Sequence, residues 1–433
     1  MNIFFQDPWW LVLIKVIALF VVLLLWTIFN VWYERRLVGK MQHRLGPIMN
    51  GPFGLGQALA DGAKLIAKED FRPANADKWV YNLAPVLTGA AAFTTWTVIP
   101  FGGEVQMFGV TTRLQVTDLP VAVLFILAIA AIGIYGIILA GWASNSPYSF
   151  LGAIRSSAQM ISYEIAMGLS IVGVFILSGS MSTHAIVESQ TQPIIFQIPF
   201  TGMQFNPGIP GWYALLLLPS FVIYGIAMVG ETNRAPFDLP ECESELVSGY
   251  LTEYSGFRYA MYFLAEYINM VTVSAVAVTL FLGGYLAPWP LNLIGFLNNP
   301  WFGPIYFIVK VQLIFSVFVW LRGTLPRFRY DQFMHLGWKQ LIPIALLWIV
   351  MVGLAPKYTI GLAVALLAIL LLFSGRTDAE EESAEPAATA DEEPFDPFAG
   401  GYPVPPRPGQ VLPEFAGIVR GADAEPGDQG EDL

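Results

Sequence analysis

The sequence predicts an all-α fold: a polytopic bundle of about nine transmembrane helices with structured cytoplasmic loops and a disordered C-terminal tail. Hydrophobic residues fill 55% of the 433 positions and charged residues only 13%, about half the usual quarter. Apolar runs of spanning length recur along the chain, and basic residues cluster between alternate runs. This pattern excludes a soluble globular enzyme and a disordered chain.

Each span is predicted from an apolar run that can cross about 30 Å of hydrocarbon. The first seven are Trp9–Trp32, Trp79–Phe101, Val116–Trp142, Leu151–Ser178, Trp212–Gly230, Tyr259–Leu286 and Ile305–Leu321. The last stretch, Trp338–Phe373, would reach about 54 Å as one helix. Pro356 and Lys357 divide it, so we expect two short spans there and nine in all. One last span, giving eight, is the alternative.

The basic residues predict the orientation of the bundle. With the N-terminus outside, the inner segments are 34–78, 143–150, 231–258, 322–337 and the tail. Those segments and the adjoining span edges hold 15 basic residues before the tail, whereas the outer segments hold only Arg113 and Lys357. Because basic residues favour the cytoplasmic side, we expect an inner-membrane protein whose tail is cytoplasmic.

Charge also divides the chain into two parts. Residues 376–433 carry 15 acidic and 3 basic residues, a net charge of −12, whereas 1–375 carry 18 acidic and 19 basic residues, a net charge of +1. Residues 376–433 are rich in Ala, Glu, Asp and Pro, so this segment cannot bury enough apolar surface to fold alone. It is either a solvated tail or a strap that docks on a neighbouring subunit.

Several kinds of site are disfavoured by composition. Cys242 is the only cysteine, and His43, His184 and His335 are too scattered for a haem or zinc site. No basic patch points to nucleic acid. We therefore expect no redox cofactor or metal bound by this chain.

The first cytoplasmic loop contains an amphipathic segment. After ERRLVGKMQHRLGP, the stretch GLGQALADGAKLIAKED places Leu55, Leu59, Ala63 and Ile66 on one face of a helix. Such a helix either lies in the membrane interface or packs on a partner.

Carboxylates crowd the third cytoplasmic loop and also occur within two spans. The loop ETNRAPFDLPECESELVSGYLTEYSG holds six acids with only Arg234 among them, and such crowding favours shared protons. Glu164 and Glu266 lie inside predicted spans. An intramembrane carboxylate is costly and is a functional candidate by default. The alternatives are a hydrated acidic loop and structural hydrogen bonds between helices.

These motifs resemble the quinone-site membrane subunit of proton-translocating NADH:quinone oxidoreductase, respiratory complex I, over about residues 10–350. The matching stretches are ERRLVGKMQHRLGP, GLGQALADGAKLIAKE, RSSAQMISYE, the whole third loop, FLAEY and RGTLPRFRYDQFMHLGWK. The longer acidic tail and the ninth span depart from the family.

The resemblance implies a function and assigns residues to it. The subunit would enclose most of a tunnel for a lipid quinone, with ubiquinone and menaquinone both open. FMN and the iron–sulfur clusters would belong to partner subunits. Quinone-binding residues would be Arg35, Gln42, Arg44, Asp61, Phe263, Arg322, Arg327 and Arg329. The proton path would comprise Glu164, Glu231, Glu241, Glu243, Glu245 and Glu266.

The same resemblance implies partners. These are peripheral-arm subunits that carry the last iron–sulfur cluster, small membrane subunits and antiporter-like subunits. Two other functions remain open: a homologous subunit of an energy-converting hydrogenase or ferredoxin-driven complex, and a standalone secondary transporter. The complete loop motifs disfavour the transporter.

Overall fold

The computed structural model describes residues 7–192, 196–197, 204–205, 210–238, 247–289, 291–293, 295–354, 361–363 and 366. All of these belong to one compact unit, Met1–Leu366. Most of the predicted ninth span, the tail 376–433, and Glu241, Glu243 and Glu245 lie outside the described residues.

Helices of different lengths form the body of the unit. They are α1 Trp9–Met41, α2 Gln57–Ala67, α3 Lys78–Thr94, α4 Ala122–Ala143, α5 Pro147–Ser178, α6 Thr183–Ser189, α7 Tyr213–Leu216, α8 Leu218–Glu231, α9 Gly256–Phe281, α10 Gly303–Thr324, α11 Tyr330–His335 and α12 Ile342–Leu354. A π-helical segment, Leu336–Leu341, joins the last two into one run. Six helical runs in the described residues are long and apolar enough to cross a membrane, and α8 is a shorter apolar helix. The predicted all-α class is confirmed, whereas the number nine stays a prediction.

Two antiparallel strand pairs accompany the helices. Strand β1 Glu104–Met107 pairs with β2 Val110–Arg113, and β3 Phe196–Gln197 pairs with β4 Gln204–Phe205. Phe108 and Gly109 connect the first pair, and both have positive φ, as a two-residue hairpin turn requires.

Several predicted span boundaries differ from the structure, and two differences are instructive. The first helix continues nine residues beyond Trp32 to Met41, because residues such as Arg35, Arg36 and Leu37 favour helix and the single Gly39 does not interrupt it before Gly46 and Pro47. The predicted span Trp212–Gly230 is interrupted at Leu217, and a new helix begins with Pro219 in its first turn. Proline fits that position because it needs no hydrogen-bonded N–H there.

Small residues allow the helices to approach closely. A Cβ placed on Gly136 of α4 would lie 2.0 Å from the hydroxyl of Thr88 in α3, and one on Gly152 of α5 would lie 2.5 Å from the Cα of Gly249. Aromatic side chains then fill the centre, where Trp26 packs on Trp96 with ring centroids 5.8 Å apart.

A buried lysine holds the turn that follows the C-terminal end of α9. Lys310 of α10 donates to the carbonyls of Leu282, Gly284 and Leu286 at 2.8, 3.0 and 2.8 Å. Its ammonium also lies 4.9 Å from the ring centroid of Trp212. Leu282 caps α9, and Gly284 and Leu286 belong to the turn that follows it, so Lys310 satisfies carbonyls that have left the helical hydrogen-bond ladder.

Candidate functional site

A carboxylate near the C-terminal end of α1 is the centre of the candidate site. Glu34 is 3% exposed, and its Oε2 accepts a hydrogen bond from the Tyr267 hydroxyl at 2.7 Å. Its Oε1 accepts from the guanidinium of Arg322 and lies 3.8 Å from that of Arg234. Two arginines and a tyrosine thus compensate a charge that would otherwise be expensive to bury.

Arg234 joins this carboxylate to a second one. Its Nε lies 2.8 Å from Oε1 of Glu266 in α9, and its guanidinium lies 4.6 Å from the ring centroid of Tyr267. We call Glu34, Arg234, Glu266, Tyr267 and Arg322 the inner cluster. Its members come from α1, the loop after α8, α9 and α10, so the cluster forms only when these segments pack together.

Two further carboxylates lie beside one another in the bundle. Glu231 ends α8 and is buried, and its Oε2 has no hydrogen-bond partner among the described residues. Glu164 of α5 is close enough for its charge to act on Glu231. Neither carboxylate has an ion-pair partner among the described residues.

Small cavities connect Glu231 with the inner cluster. One of about 40 Å³ is lined by Glu231, Asp238, Glu266 and Asn269, and another of about 50 Å³ continues from Glu231 and Asn269 between α3, α4, α5 and α9. A water needs roughly 10–15 Å³ of such volume. The first cavity therefore has room for a few waters beside the carboxylates of Glu231 and Glu266.

A second group of predicted residues lies on the surface, at the end of α1 and on α2. Arg35 of α1 donates to Asp61 of α2 at 2.5 Å, and Arg44 donates to Gln42 at 2.7 Å. Partial burial works against ionisation of Asp61, but the hydrogen bond and charge of Arg35 outweigh it and lower the pKa of that carboxyl. The predicted amphipathic helix is confirmed as α2, which has no buried residue.

The remaining predicted residues have separate surroundings. Phe263 packs on Tyr267 with ring centroids 4.8 Å apart, so it adjoins the inner cluster. Arg327 is 3.2 Å from Asp238, which lines the first cavity. Arg329 is exposed at the start of α11.

The structure therefore brings some predicted residues together and separates others. Phe263, Glu266 and Arg322 lie at or beside the inner cluster, and Glu231 shares a cavity with Glu266. Arg35, Gln42, Arg44 and Asp61 form contacts among themselves on the surface and none with the buried carboxylates among the described residues.

Glu34 and Tyr267 are functional candidates that the sequence analysis missed. Glu34 stands at the start of a loop motif, but α1 continues through it and carries it into the bundle. A helical interpretation of the motif would have placed it on the same face as Trp26 and Asn30, at spacings of eight and four residues. That spacing is the signal that could have found it.

The sequence is similar to that of known proteins over most of its length. A family model described as NADH dehydrogenase matches residues 14–353. The chain is 58% identical over 428 residues to the NADH-quinone oxidoreductase subunit, designated H, of Cutibacterium acnes, covering 95% of this chain and 94% of the relative. It is 50% identical over 429 residues to the protein of the same name from Streptomyces avermitilis, covering 95% and 90%.

Proposed function

The chain belongs to the NADH dehydrogenase family as a membrane subunit of an NADH-quinone oxidoreductase, and from that premise we propose that it couples quinone reduction to proton translocation. It forms most of the quinone tunnel on the inner side. The quinone is its substrate, and NADH-derived electrons arrive through FMN and iron–sulfur clusters of partner subunits. The names of the relatives favour this function over that of a hydrogenase component.

The observation that carries the proposal is the position of the inner cluster. It ties Glu34 and Glu266 together through Arg234, and Glu266 lines a cavity that Glu231 also lines. A quinone that gains two electrons must take up two protons. A buried chain of carboxylates and water can deliver them, and arginines beside the headgroup can stabilise negative charge that develops on it.

The two groups of site residues have different roles in this proposal. The surface group with Arg35, Gln42, Arg44 and Asp61, together with Phe263, Arg322, Arg327 and Arg329, lines or supports the quinone path. Glu164, Glu231 and Glu266 belong to the acidic path that joins the quinone site with the antiporter-like subunits, and we add Glu34 to that path. Glu241, Glu243 and Glu245, outside the described residues, stay assigned to the same relay on the resemblance of their motif alone.

The arrangement in the membrane follows from the same premise. The subunit lies in the cell inner membrane with its N-terminus outside and its inner loops facing the peripheral arm, whose subunits carry the last iron–sulfur cluster. Residues 1–375 form the membrane domain and 376–433 form a cytoplasmic tail that assists assembly. The 15-to-2 distribution of basic residues supports this orientation.

The test replaces one carboxylate at a time in the assembled complex. Glu34→Gln and Glu266→Gln keep the shape of the side chain but remove its charge and its titration. Each should lower NADH-driven quinone reduction and proton translocation together by tenfold or more, corresponding to about 1.4 kcal/mol or more of barrier. Glu104→Gln is the matched control, because Glu104 is an exposed carboxylate of strand β1 paired with Arg113.

Rates are measured in reconstituted vesicles and divided by the amount of assembled complex. NADH oxidation by a water-soluble acceptor provides a separate check that the peripheral arm is intact. Wild-type rates in both Glu34→Gln and Glu266→Gln would show that these acids are structural, and the relay would be refuted.

A further inference from the structure

An apolar cavity lies along the N-terminal part of α1, apart from the candidate site. Its volume is about 270 Å³, and its walls come from α1, the segment 96–101, the strand pair β1–β2 with its flanks, and the start of α10. Ile14, Ala18 and Val22 of α1 and Ile308 of α10 line it with exposed side chains. Its mouth therefore opens on the surface of the bundle between these two helices, and the proposed function uses none of these residues.

A contact between α1 and α10 closes one end of the cavity. Trp26 of α1 donates to Oε1 of Gln312 in α10 at 3.0 Å. Val22 and Ile308 lie one helical turn before Trp26 and Gln312 respectively, so the cavity begins where this contact ends. An α-helix with its side chains is about 10–12 Å across and does not fit between two helices that are held together one turn further on. A thin, flexible chain does fit.

The nitrogen donors of Lys15 and Gln115, which also line the cavity, are used within the protein. Lys15 donates to the Asp7 carboxylate and the Thr112 hydroxyl, both at 2.6 Å, and to the Gln115 carbonyl at 3.1 Å. The amide nitrogen of Gln115 donates to the Val98 carbonyl at 2.8 Å and to a second protein oxygen at 3.2 Å. An ammonium carries three N–H donors and an amide two, so these groups keep none for a phosphate headgroup. The cavity therefore suits an apolar ligand.

The surroundings of the mouth supply such a ligand. The run Pro300–Thr324, which contains α10, and the helix α1 are both long and apolar enough to cross a membrane, and the exposed side chains at the mouth are apolar. An apolar cavity of about 150 Å³ can stay dry and bind benzene, so the larger cavity has room for a stretch of hydrocarbon chain. If it were left empty, its walls would lose the dispersion contacts that such a chain provides.

We propose that this cavity binds an acyl chain of a membrane phospholipid. The chain enters between Ala18 and Ile308 and packs against Leu19 of α1, Met107 of β1 and Leu114 after β2, which line the cavity with partly exposed side chains. It fills the space between the two helices and connects them with the strand pair.

A phospholipid fits this position better than the tail of a quinone. Ala18 lies 16 residues before Glu34, which is about 24 Å along α1, so a quinone at the inner cluster would have to lead its tail along the helix to reach the cavity. Phospholipid surrounds the mouth directly. The inference concerns lipid binding alone and does not depend on quinone chemistry, so it stands or fails independently of the proposed function.

The experiment uses a phosphatidylcholine that carries a photoactivatable diazirine on one acyl chain. The assembled wild-type complex is illuminated in vesicles of this lipid, and adducts are located by mass spectrometry of its peptides. We expect adducts on Met107 and Leu114, which line the cavity from outside the membrane helices. Ala18→Phe should fill the mouth and reduce these adducts several-fold. The matched control is Ala90→Phe, because Ala90 is an exposed alanine of α3 that does not line the cavity, and it should leave the adducts unchanged.

The proposal is overturned if Met107 and Leu114 stay unlabelled while exposed residues of α1 are labelled, or if wild type and Ala18→Phe give equal adducts. Loss of the adducts when a quinone with a long isoprenoid tail is added in excess would assign the cavity to the quinone and would also overturn it. If Ala18→Phe does not assemble, a cryo-EM map of the wild-type complex in the same lipid decides. Elongated density in the cavity supports an acyl chain, whereas an empty cavity or one filled by a partner subunit refutes it.

Discussion

Removing Arg234 should make local unfolding of the inner cluster easier, and the change in free energy can be worked out from the structure. Arg234→Met keeps much of the apolar stem but removes the charge that lies 2.8 Å from Glu266 and 3.8 Å from Glu34. Taking one partner from a buried pair costs roughly 3–5 kcal/mol. The lower end applies here, since Glu34 keeps Arg322 and Tyr267, and the Glu266 side chain is 18% exposed.

We therefore expect a penalty of about 3 kcal/mol, which corresponds to a rise of more than 100-fold in the local opening constant. Hydrogen exchange measures this opening directly, because the amides of the first turns of α9 exchange through local unfolding. The penalty should shrink at lower pH, because a neutral carboxylic acid costs less to bury than a carboxylate.

Arg258→Met is the control for this experiment. Arg258 also forms an ion pair on the inner side, 2.9 Å from Asp70, but Asp70 is 46% exposed, and exposed pairs contribute only about 0–1 kcal/mol. Exchange in Arg234→Met that is no faster than in Arg258→Met would refute the reasoning about buried charge at this cluster.

Three further predictions concern stability. Lys310→Met should lower the thermal midpoint of the complex, because three carbonyls lose their donor at a cost of about 1–3 kcal/mol each. Removal of the buried charge offsets part of this cost, and an unchanged midpoint would contradict the prediction. Burial lowers the pKa of His184, so the folded state binds fewer protons than the unfolded one. The contribution of His184 to the free energy of unfolding is therefore fully present above about pH 6.5 and is lost as the pH falls through the lowered pKa. Thermal melts of His184→Gln should show a smaller loss of stability over that pH range than melts of the wild type. Gly152→Ala should lower the free energy of unfolding by roughly 1–3 kcal/mol, because its Cβ would lie 2.5 Å from the Cα of Gly249. The control is Gly168→Ala, whose Cβ would meet open space, and it should be neutral or slightly stabilising in the same melts.

Much of the membrane architecture could be predicted from residue order. The predicted spans from Trp9–Trp32 to Ile305–Leu321 each coincide with helical structure, because an apolar run of spanning length must satisfy its backbone hydrogen bonds internally. Boundaries were harder to predict. The charged segment after Trp32 resembles a loop in its polarity, yet its residues favour helix apart from Gly39, and it stays helical to Met41.

The pairing of charges could not be predicted in the same way. Sequence spacing favours a bond from Glu266 to Tyr262 or Asn269 one turn away, but Glu266 pairs with Arg234, 32 positions earlier in the chain. Nearest neighbours on one helix are visible in the sequence, whereas the partner across a helix contact depends on how the two helices are rotated against each other.

The sequence by itself determined the helical membrane class, the amphipathic helix of the first loop and the family, because hydrophobic periodicity and long ordered motifs are local properties. Only the tertiary structure decided that Glu34 belongs with Glu266 and not with the surface group of Arg35 and Asp61. Consecutive residues of a helix point about 100° apart, so Glu34 faces the bundle while Arg35 faces α2. Which of the two directions is buried depends on the packing of α9 and α10 against α1, and neighbouring letters of the sequence do not contain that information.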